Sequence, residues 1–202
     1  RHEPEYQTDY RPVGSSRAGG VRRLRCPEPV TDSLIELLGI DIPGHVQGTS
    51  LLPVLHGETD EVNEQIYGDL TYHACYEPQR SVRTKRYRYI RRFIDRERPI
   101  LPNCDASPSK NVWMEAGWRE RKRPREMLYD LVFDPHEREN LIDVPEYADV
   151  AADMRQRLET WMRDTKDPLL EGDYPAPEAA RVNDPDEIDP HGKLNPARPD
   201  RA

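Results

Sequence analysis

The sequence is short of apolar side chains. Hydrophobic residues make up 35% of its 202 positions, with only two phenylalanines, while charged residues make up 34%. A compact domain of this length usually has a larger apolar fraction. We therefore expect part of the chain to lie outside any core, or to need a further surface for burial. No apolar run approaches the length that crosses a bilayer, so no membrane partner is expected.

Cysteine is scarce as well, and Cys26, Cys75 and Cys104 lie far apart. None belongs to a C-x-x-C pair, so a zinc site is not expected and no metal ligand is assigned. The odd count leaves at least one thiol unpaired within the chain, and a disulfide between Cys75 and Cys104 stays open. The chain starts at an arginine and opens with no signal peptide, which fits a fragment.

The charge is acidic overall, at −8, which argues against a nucleic-acid partner or an anionic membrane surface. Arginine is nevertheless concentrated in residues 83–98 and 119–125. In the first of these runs, strand alternation places Tyr87, Tyr89 and Phe93 on one face and most of the charge on the other. A solvated sheet edge is therefore favoured over a nucleic-acid site.

Local patterns divide the chain into four parts. Residues 1–30 show no helical or strand period and read as an irregular lead-in. Residues 31–60 contain two short helices, the first capped by Thr31 or Asp32 and stopped by Gly39. Four strands follow, with predicted bounds 65–72, 81–83, 86–93 and 127–131. Residues 95–124, between the last two strands, are predicted to be irregular.

One amphipathic helix is the clearest element. Asp143 and Glu146 have capping-box spacing, and apolar residues then recur at helical intervals from Tyr147 to Met162. Such a stripe needs a sheet or another helix to lie on. Residues 169–202 are rich in proline and acid and predict a disordered tail. The order of elements predicts an α+β arrangement.

Four sequence blocks and this final helix resemble sulfatases, in the same order. The blocks are residues 32–40 (DSLIELLGI), 47–55 (QGTSLLPVL), 80–90 (RSVRTKRYRYI) and 128–141 (LYDLVFDPHERENL). The resemblance covers roughly residues 31–168. Residues 71–73 and 77–80, with the aromatic-bearing insertion, look most like the N-sulfoglucosamine sulfohydrolase (sulfamidase) group. That group carries an H-E pair where this chain has His73 followed by Ala74.

The resemblance implies an alkaline-phosphatase-like α/β domain joined to a smaller C-terminal subdomain, in which a terminal helix packs on a small antiparallel sheet. Residues 31–60 would be the trailing edge of the large domain, and residues 61–168 the C-terminal subdomain. The partner implied for this chain is then the large sulfatase domain itself. The substrate implied for the complete enzyme is a sulfated sugar.

The chemistry implied by the resemblance is hydrolysis of sulfate esters or N-sulfates by a formylglycine and a calcium ion. A dianion-like transition state needs such a cation and surrounding basic groups. The formylglycine comes from a C-x-P-S-R block, and Glu28 follows Cys26-Pro27 here instead. No Asp-Asp pair opens a strand, and no Asp-His-Gly block exists. No catalytic residue is therefore assigned, and the chain alone is predicted to be inactive.

Three residues are the candidate substrate-binding set: His73, Glu77 and Arg80. His73 follows a predicted strand, in a loop that in the family faces the active-site cleft, and binding residues favour such loops. Its predicted role is a hydrogen bond to a sugar hydroxyl or a sulfamate. For Arg80, an ion pair that holds the hairpin is favoured over substrate contact. The alternatives for the chain are a degenerate non-catalytic remnant, a carbohydrate-binding module and a phosphoesterase of the same superfamily.

Overall fold

A computed structural model describes residues 28–43, 46, 48–174, 179–190, 192 and 194–197. Its helices are α1 Glu28–Leu37, α2 Leu52–Leu55, α3 Pro108–Glu115 and α4 Ala148–Asp164. Its strands are β1 Ile66–Tyr72, β2 Tyr76–Arg83, β3 Tyr87–Arg92, β4 Glu126–Asp130, β5 Arg181–Asn183 and β6 Leu194–Pro196. Short 3-10 turns lie at Leu101–Asn103, Trp118–Glu120, Pro145–Tyr147 and Pro168–Leu170. Within these described ranges, no helix is long and apolar enough to cross a membrane.

The main sheet has four antiparallel strands in the order β1-β2-β3-β4. The register places Val82 opposite both Tyr67 and Tyr89, and Tyr89 opposite Leu128. Side chains alternate across a strand, so this row faces one side of the sheet. The sheet thereby presents one continuous apolar strip to whatever packs on that side.

Helix α4 covers that strip. Its buried residues are Ala151, Met154, Leu158 and Met162, and they form one core cluster with the apolar row of the sheet. The ring of Trp161 also stacks on Tyr67, with centroids 4.9 Å apart. Burial of each large apolar side chain contributes roughly 1.5–3 kcal/mol, so this interface stabilises the fold. The predicted α+β arrangement, a helix packed on a small antiparallel sheet, is confirmed.

The start of α4 differs from the predicted capping box. Tyr147 N–H donates to the carbonyl of Val144, which forms a 3-10 turn, and the helix begins only at Ala148. No side chain caps that N-terminus. Val144 rather than Asp143 precedes this 3-10 turn, and no side chain caps the turn, so the predicted capping box of Asp143 and Glu146 is not formed.

Strand β2 is longer than predicted, because it begins at Tyr76 rather than near Ser81. Pro78 lies inside it and has no N–H to donate. The register between β1 and β2 shifts between Leu70 and Tyr72, and the carbonyl of Pro78 accepts from Phe93 N–H. The irregularity lets the ladder continue past the proline, which a sequence pattern reads as a break.

Helix α1 begins before the predicted cap. It starts at Glu28, so Asp32 lies inside the helix, fully buried, and both its carboxylate oxygens lack a hydrogen-bond partner in the described part of the chain. A proline in the first turn is tolerated there, which extends the helix upstream. Residues 1–27, which make up the rest of the predicted lead-in and include Cys26, lie outside the described residues.

The insertion, residues 95–125, is more ordered than predicted. Ser107 caps α3, since its hydroxyl accepts from Lys110 N–H at 3.2 Å, and Pro108 occupies the first turn. Cys104 in this segment and Cys75 are both free thiols. The insertion is therefore an ordered segment that contains a helix, and not an irregular loop.

The tail also differs from the predicted disorder. After α4 the chain makes the turn Pro168–Leu170, and β5 and β6 later pair as a two-stranded antiparallel sheet. Asn183 N–H donates to the carbonyl of Ala74, which attaches this sheet to the turn between β1 and β2. Specific tertiary hydrogen bonds thus order a segment whose composition alone predicts none.

Candidate functional site

The turn between β1 and β2 carries His73. Strand β1 ends at Tyr72 and β2 resumes at Tyr76, and these two residues are register partners. The backbone N–H of His73 donates to the carbonyl of Cys75 at 3.1 Å, which closes the turn. The imidazole is exposed and makes no hydrogen bond or ion pair within the described part of the chain. It is therefore available to a ligand.

Two asparagines brace this turn. Asn103, from the insertion, accepts from Cys75 N–H through its side-chain oxygen at 2.7 Å. Asn183, from β5, donates its backbone N–H to Ala74 at 2.7 Å and accepts from the Cys75 thiol at 3.3 Å. The turn is thus held by groups from two distant segments of sequence, which fixes where the His73 backbone lies.

Glu77 lies beneath the turn in a basic cluster. It is 3% exposed, and its two carboxylate oxygens accept from Arg123 at 2.6 Å and from the Asn103 amide at 2.8 Å. Arg92 approaches the same carboxylate at 4.0 Å. Burial lowers the pKa of Arg92 to about 10, and the positive charge of Arg123 adds to that effect. The carboxylate of Glu77 therefore neutralises part of a buried excess of positive charge.

Arg80 is held in a second buried network. Its Nε and Nη2 donate to the two carboxylate oxygens of Asp167 at 2.5 and 3.2 Å, and Nη1 donates to the carbonyl of Leu70 at 2.9 Å. Arg80 is 2% exposed. The contacts of Glu77 and Arg80 with substrate stay predictions, and their burial in ion pairs favours a role in positioning the strand that follows His73.

Several arginines of the β2–β3 hairpin are paired with acids. Arg86 contacts Asp130 at 2.9 Å and Arg88 contacts Glu137 at 2.9 Å. Ion pairs of this kind account for the charge of the hairpin without a polyanionic ligand, in line with a solvated sheet surface.

Chemically, the described part of the chain offers a hydrogen-bonding imidazole and several guanidinium groups. Within it, no three His, Cys, Asp or Glu side chains gather as a metal site. An exposed imidazole has the chemistry to exchange hydrogen bonds with a polar ligand.

Sequence reasoning missed the two bracing asparagines. Asn103 and Asn183 act through hydrogen bonds to backbone groups of the turn, and no motif or spacing in the sequence signals them.

Comparison with known proteins places the chain among sulfatases. The family described as N-sulphoglucosamine sulphohydrolase, C-terminal, matches residues 27–164. The ulvan-active sulfatase of Formosa agariphila is 35% identical over 147 residues, which cover 70% of this chain and 29% of that protein. The human N-sulphoglucosamine sulphohydrolase is 29% identical over 141 residues, which cover 62% of this chain and 28% of that protein.

A solved structure gives the same fold. The structure of a 2-O glycosaminoglycan sulfatase superposes with a TM-score of 0.50 at 26% identity, and the match covers 72% of this chain and 26% of that chain. The chain thus spans about three tenths of the length of the curated relatives it matches.

Proposed function

The chain belongs to the N-sulphoglucosamine sulphohydrolase C-terminal family, and from that premise we propose that it serves a larger sulfatase that hydrolyses sulfate esters or N-sulfates of sugars. In this role it contributes a substrate loop and not the nucleophile. The proposal is supported by the names of its relatives, an ulvan-active sulfatase and an N-sulphoglucosamine sulphohydrolase. The substrate itself follows from those names only at the level of a sulfated sugar.

The observation that carries the site is the exposed imidazole on a braced turn. His73 has no partner within the described residues, whereas the backbone on either side of it is held by hydrogen bonds from the insertion and from β5. A fixed backbone with an unengaged donor and acceptor is suited to orienting a sugar hydroxyl or a sulfamate. Glu77 and Arg80 complete the proposed set by holding β2 below that turn.

The nucleophile and the metal belong to other parts of the proposed enzyme. Calcium and formylglycine are the groups that the family implies, and the residues described here do not supply them: no C-x-P-S-R block exists in the sequence, and no ligand cluster exists in the described residues. A large sulfatase domain would provide both and would pack on this chain. The chain on its own is therefore proposed to be inactive.

The reading frame upstream of residue 1 tests the proposal. We expect an in-frame C-x-P-S-R block, sulfate release from a sulfated sugar by the joined product, and none by the 202-residue chain. A frame without that block, or a joined product that releases no sulfate, would favour the non-catalytic remnant.

The joined product also tests the site. Replacing His73 by Ala should lower kcat/KM by about three- to tenfold, the worth of one lost hydrogen bond, with an unchanged melting temperature. His136→Ala, at an exposed position in the loop after β4, is the matched control and should leave kcat/KM unchanged. Equal effects of the two substitutions would remove His73 from the site.

A further inference from the structure

The C-terminal hairpin, residues 179–190 with 194–197, lies across the turn that carries His73. Besides the contacts of Asn183 with Ala74 and Cys75, its residues meet the insertion at several points. The family match ends at residue 164, so this hairpin lies beyond the matched domain. We call it the strap. It covers one edge of the proposed substrate loop.

The strap meets the insertion through opposite charges. Arg96 donates to the carboxylate of Asp186 at 2.7 Å and to the carbonyl of Pro185 at 3.1 Å. The pKa of Asp186 is held below its usual value, first by this hydrogen bond and then by the charges of Arg96, Arg119 and Arg98. One strap carboxylate thus sits in the field of three guanidinium groups.

A buried lysine forms the second point of attachment. Lys110 is 2% exposed, and its ammonium donates to the carbonyls of Leu101 at 3.0 Å and Cys104 at 2.7 Å. The remaining partners come from the strap: the carbonyl of Ile188 and, at 3.3 Å, the carboxylate of Asp189. If the strap leaves, this ammonium loses its strap acceptors and becomes a cation in need of a ligand.

A cavity of about 350 Å³ lies beside the contact of the strap with the His73 turn. Its lining includes Cys75, Tyr76 and Arg96, together with the strap residues Asn183 and Asp186. Arg96 therefore lines an open space as well as binding the strap, and its Nε is buried without a hydrogen-bond partner among the described residues. An anionic group entering the cavity reaches a guanidinium that the strap only partly satisfies.

We propose that the strap is an internal competitor for a polyanionic sugar chain, and that a sulfated polysaccharide binds the basic surface formed by Arg96, Arg119 and Lys110 by displacing it. This inference rests on the proposed function for the ligand class. Sulfate groups along a sugar chain present the same kind of acceptor that Asp186 and Asp189 now provide. Only a ligand of many charges offers enough contacts to replace both attachment points.

The test uses two charge-matched double variants of the full 202-residue chain. The first, Asp186→Asn with Asp189→Asn, weakens the strap contacts. The second, Asp60→Asn with Asp149→Asn, removes two exposed acids that make no ion pair within the described residues. Dextran sulfate is the probe, uncharged dextran is its control, and the readouts are binding affinity and amide exchange of residues 181–189.

Dextran sulfate should accelerate exchange of residues 181–189, and it should bind the first variant about three- to tenfold more tightly than the second, since an ion pair with one exposed partner contributes modestly. Arg96→Gln in the first background should weaken binding again. Equal affinity for the two double variants would show a net-charge effect and overturn the proposal, as would unchanged exchange on binding.

The outcome is independent of turnover. Sulfate release by the joined enzyme with a strap that never opens would leave the proposed function intact and remove this inference. Strap displacement by dextran sulfate, without sulfate release by the joined enzyme, would support this inference and count against the proposed function.

Discussion

Arg80 and Asp167 form a buried bidentate ion pair that joins β2 to the chain just beyond α4, with Nε–Oδ2 at 2.5 Å and Nη2–Oδ1 at 3.2 Å. The same carboxylate accepts from Leu169 N–H at 3.1 Å, which begins the turn after the helix. The pair therefore fixes the exit of α4 against the sheet.

Replacing Asp167 by Asn should destabilise the protein strongly. The amide oxygen can still accept from Leu169, but the guanidinium of Arg80 is left buried without a counter-charge. Breaking one partner of a buried pair typically costs about 3–5 kcal/mol. Urea denaturation measures the free energy of unfolding.

The control for that substitution is Asp153→Asn. Asp153 pairs with Arg157 one helical turn away, and its side chain is exposed. Its loss should cost only about 0.3–0.5 kcal/mol. Similar losses for the two variants would show that the buried pair adds nothing beyond a surface one.

Acid stability should depend on Glu126. Two hydrogen bonds from Arg155, at 2.9 and 2.8 Å, lower the pKa of its carboxyl, and a hydrogen bond from the Tyr89 hydroxyl acts in the same direction. Because the folded pKa lies below the unfolded value of about 4.3, the contribution is fully present above that value. It is lost as the pH falls from there through the folded pKa.

The variant Glu126→Gln should therefore show a shallower loss of stability below about pH 5 than the parent chain. Glu159→Gln, which removes a more exposed acid paired with Arg163, is the matched control and should keep the parent slope. Denaturant titrations at several pH values measure both slopes. A parent slope retained by Glu126→Gln would contradict the linkage.

The thiol of Cys75 should resist alkylation. Burial, reinforced by the negative charge of Glu77, raises its pKa to about 12, and the side chain is 1% exposed. Only about one thiol in ten thousand is then ionised at pH 8. Peptide-resolved mass spectrometry after iodoacetamide should show labelled Cys104 and unlabelled Cys75 in the native chain.

Denaturation should make both cysteines react alike. Labelling of native Cys75 at the rate of Cys104 would mean that the strap does not cover this thiol in solution. The measurement therefore also reports whether the strap is closed before any ligand is added.

The sheet-and-helix core could be predicted because periodicity encodes burial. Alternation placed Tyr87 and Tyr89 in a strand, and the helical spacing from Tyr147 to Met162 identified the face that packs on it. Both patterns are properties of side chains that are local in sequence. The structure confirms the burial that these patterns imply, since Tyr89 and Met162 are both fully buried.

The strap and the braces of the turn could not be predicted in this way. Lys110 binds the backbone carbonyl of Ile188, and Asn183 binds that of Ala74, so the partners have no identifying side chain. The composition of the tail shows only that it is rich in acidic residues and proline. Its order depends on matching particular acids to particular cations of the insertion, which only the folded arrangement brings together.

The last prediction concerns an apolar stripe on α1. Leu34 and Leu37 of α1 and Leu38 directly after it are exposed, the last at 72%, and Leu55 of α2 is exposed as well. Contiguous exposed apolar surface of this kind marks a contact with another protein surface. We expect a large sulfatase domain to cover it, and the isolated chain to bind a hydrophobic dye there.

Replacing Leu34 and Leu38 by Ser should reduce dye fluorescence while changing the free energy of unfolding by less than about 0.5 kcal/mol, because surface substitutions away from the core have small effects. Val112→Ser with Val132→Ser is the matched control, since it removes two exposed valines from separate sites. It should leave most of the fluorescence, because isolated apolar residues form no patch. A cooperative melt of the parent chain without dye binding would show that the stripe is already covered, and the inferred domain interface would have to lie elsewhere.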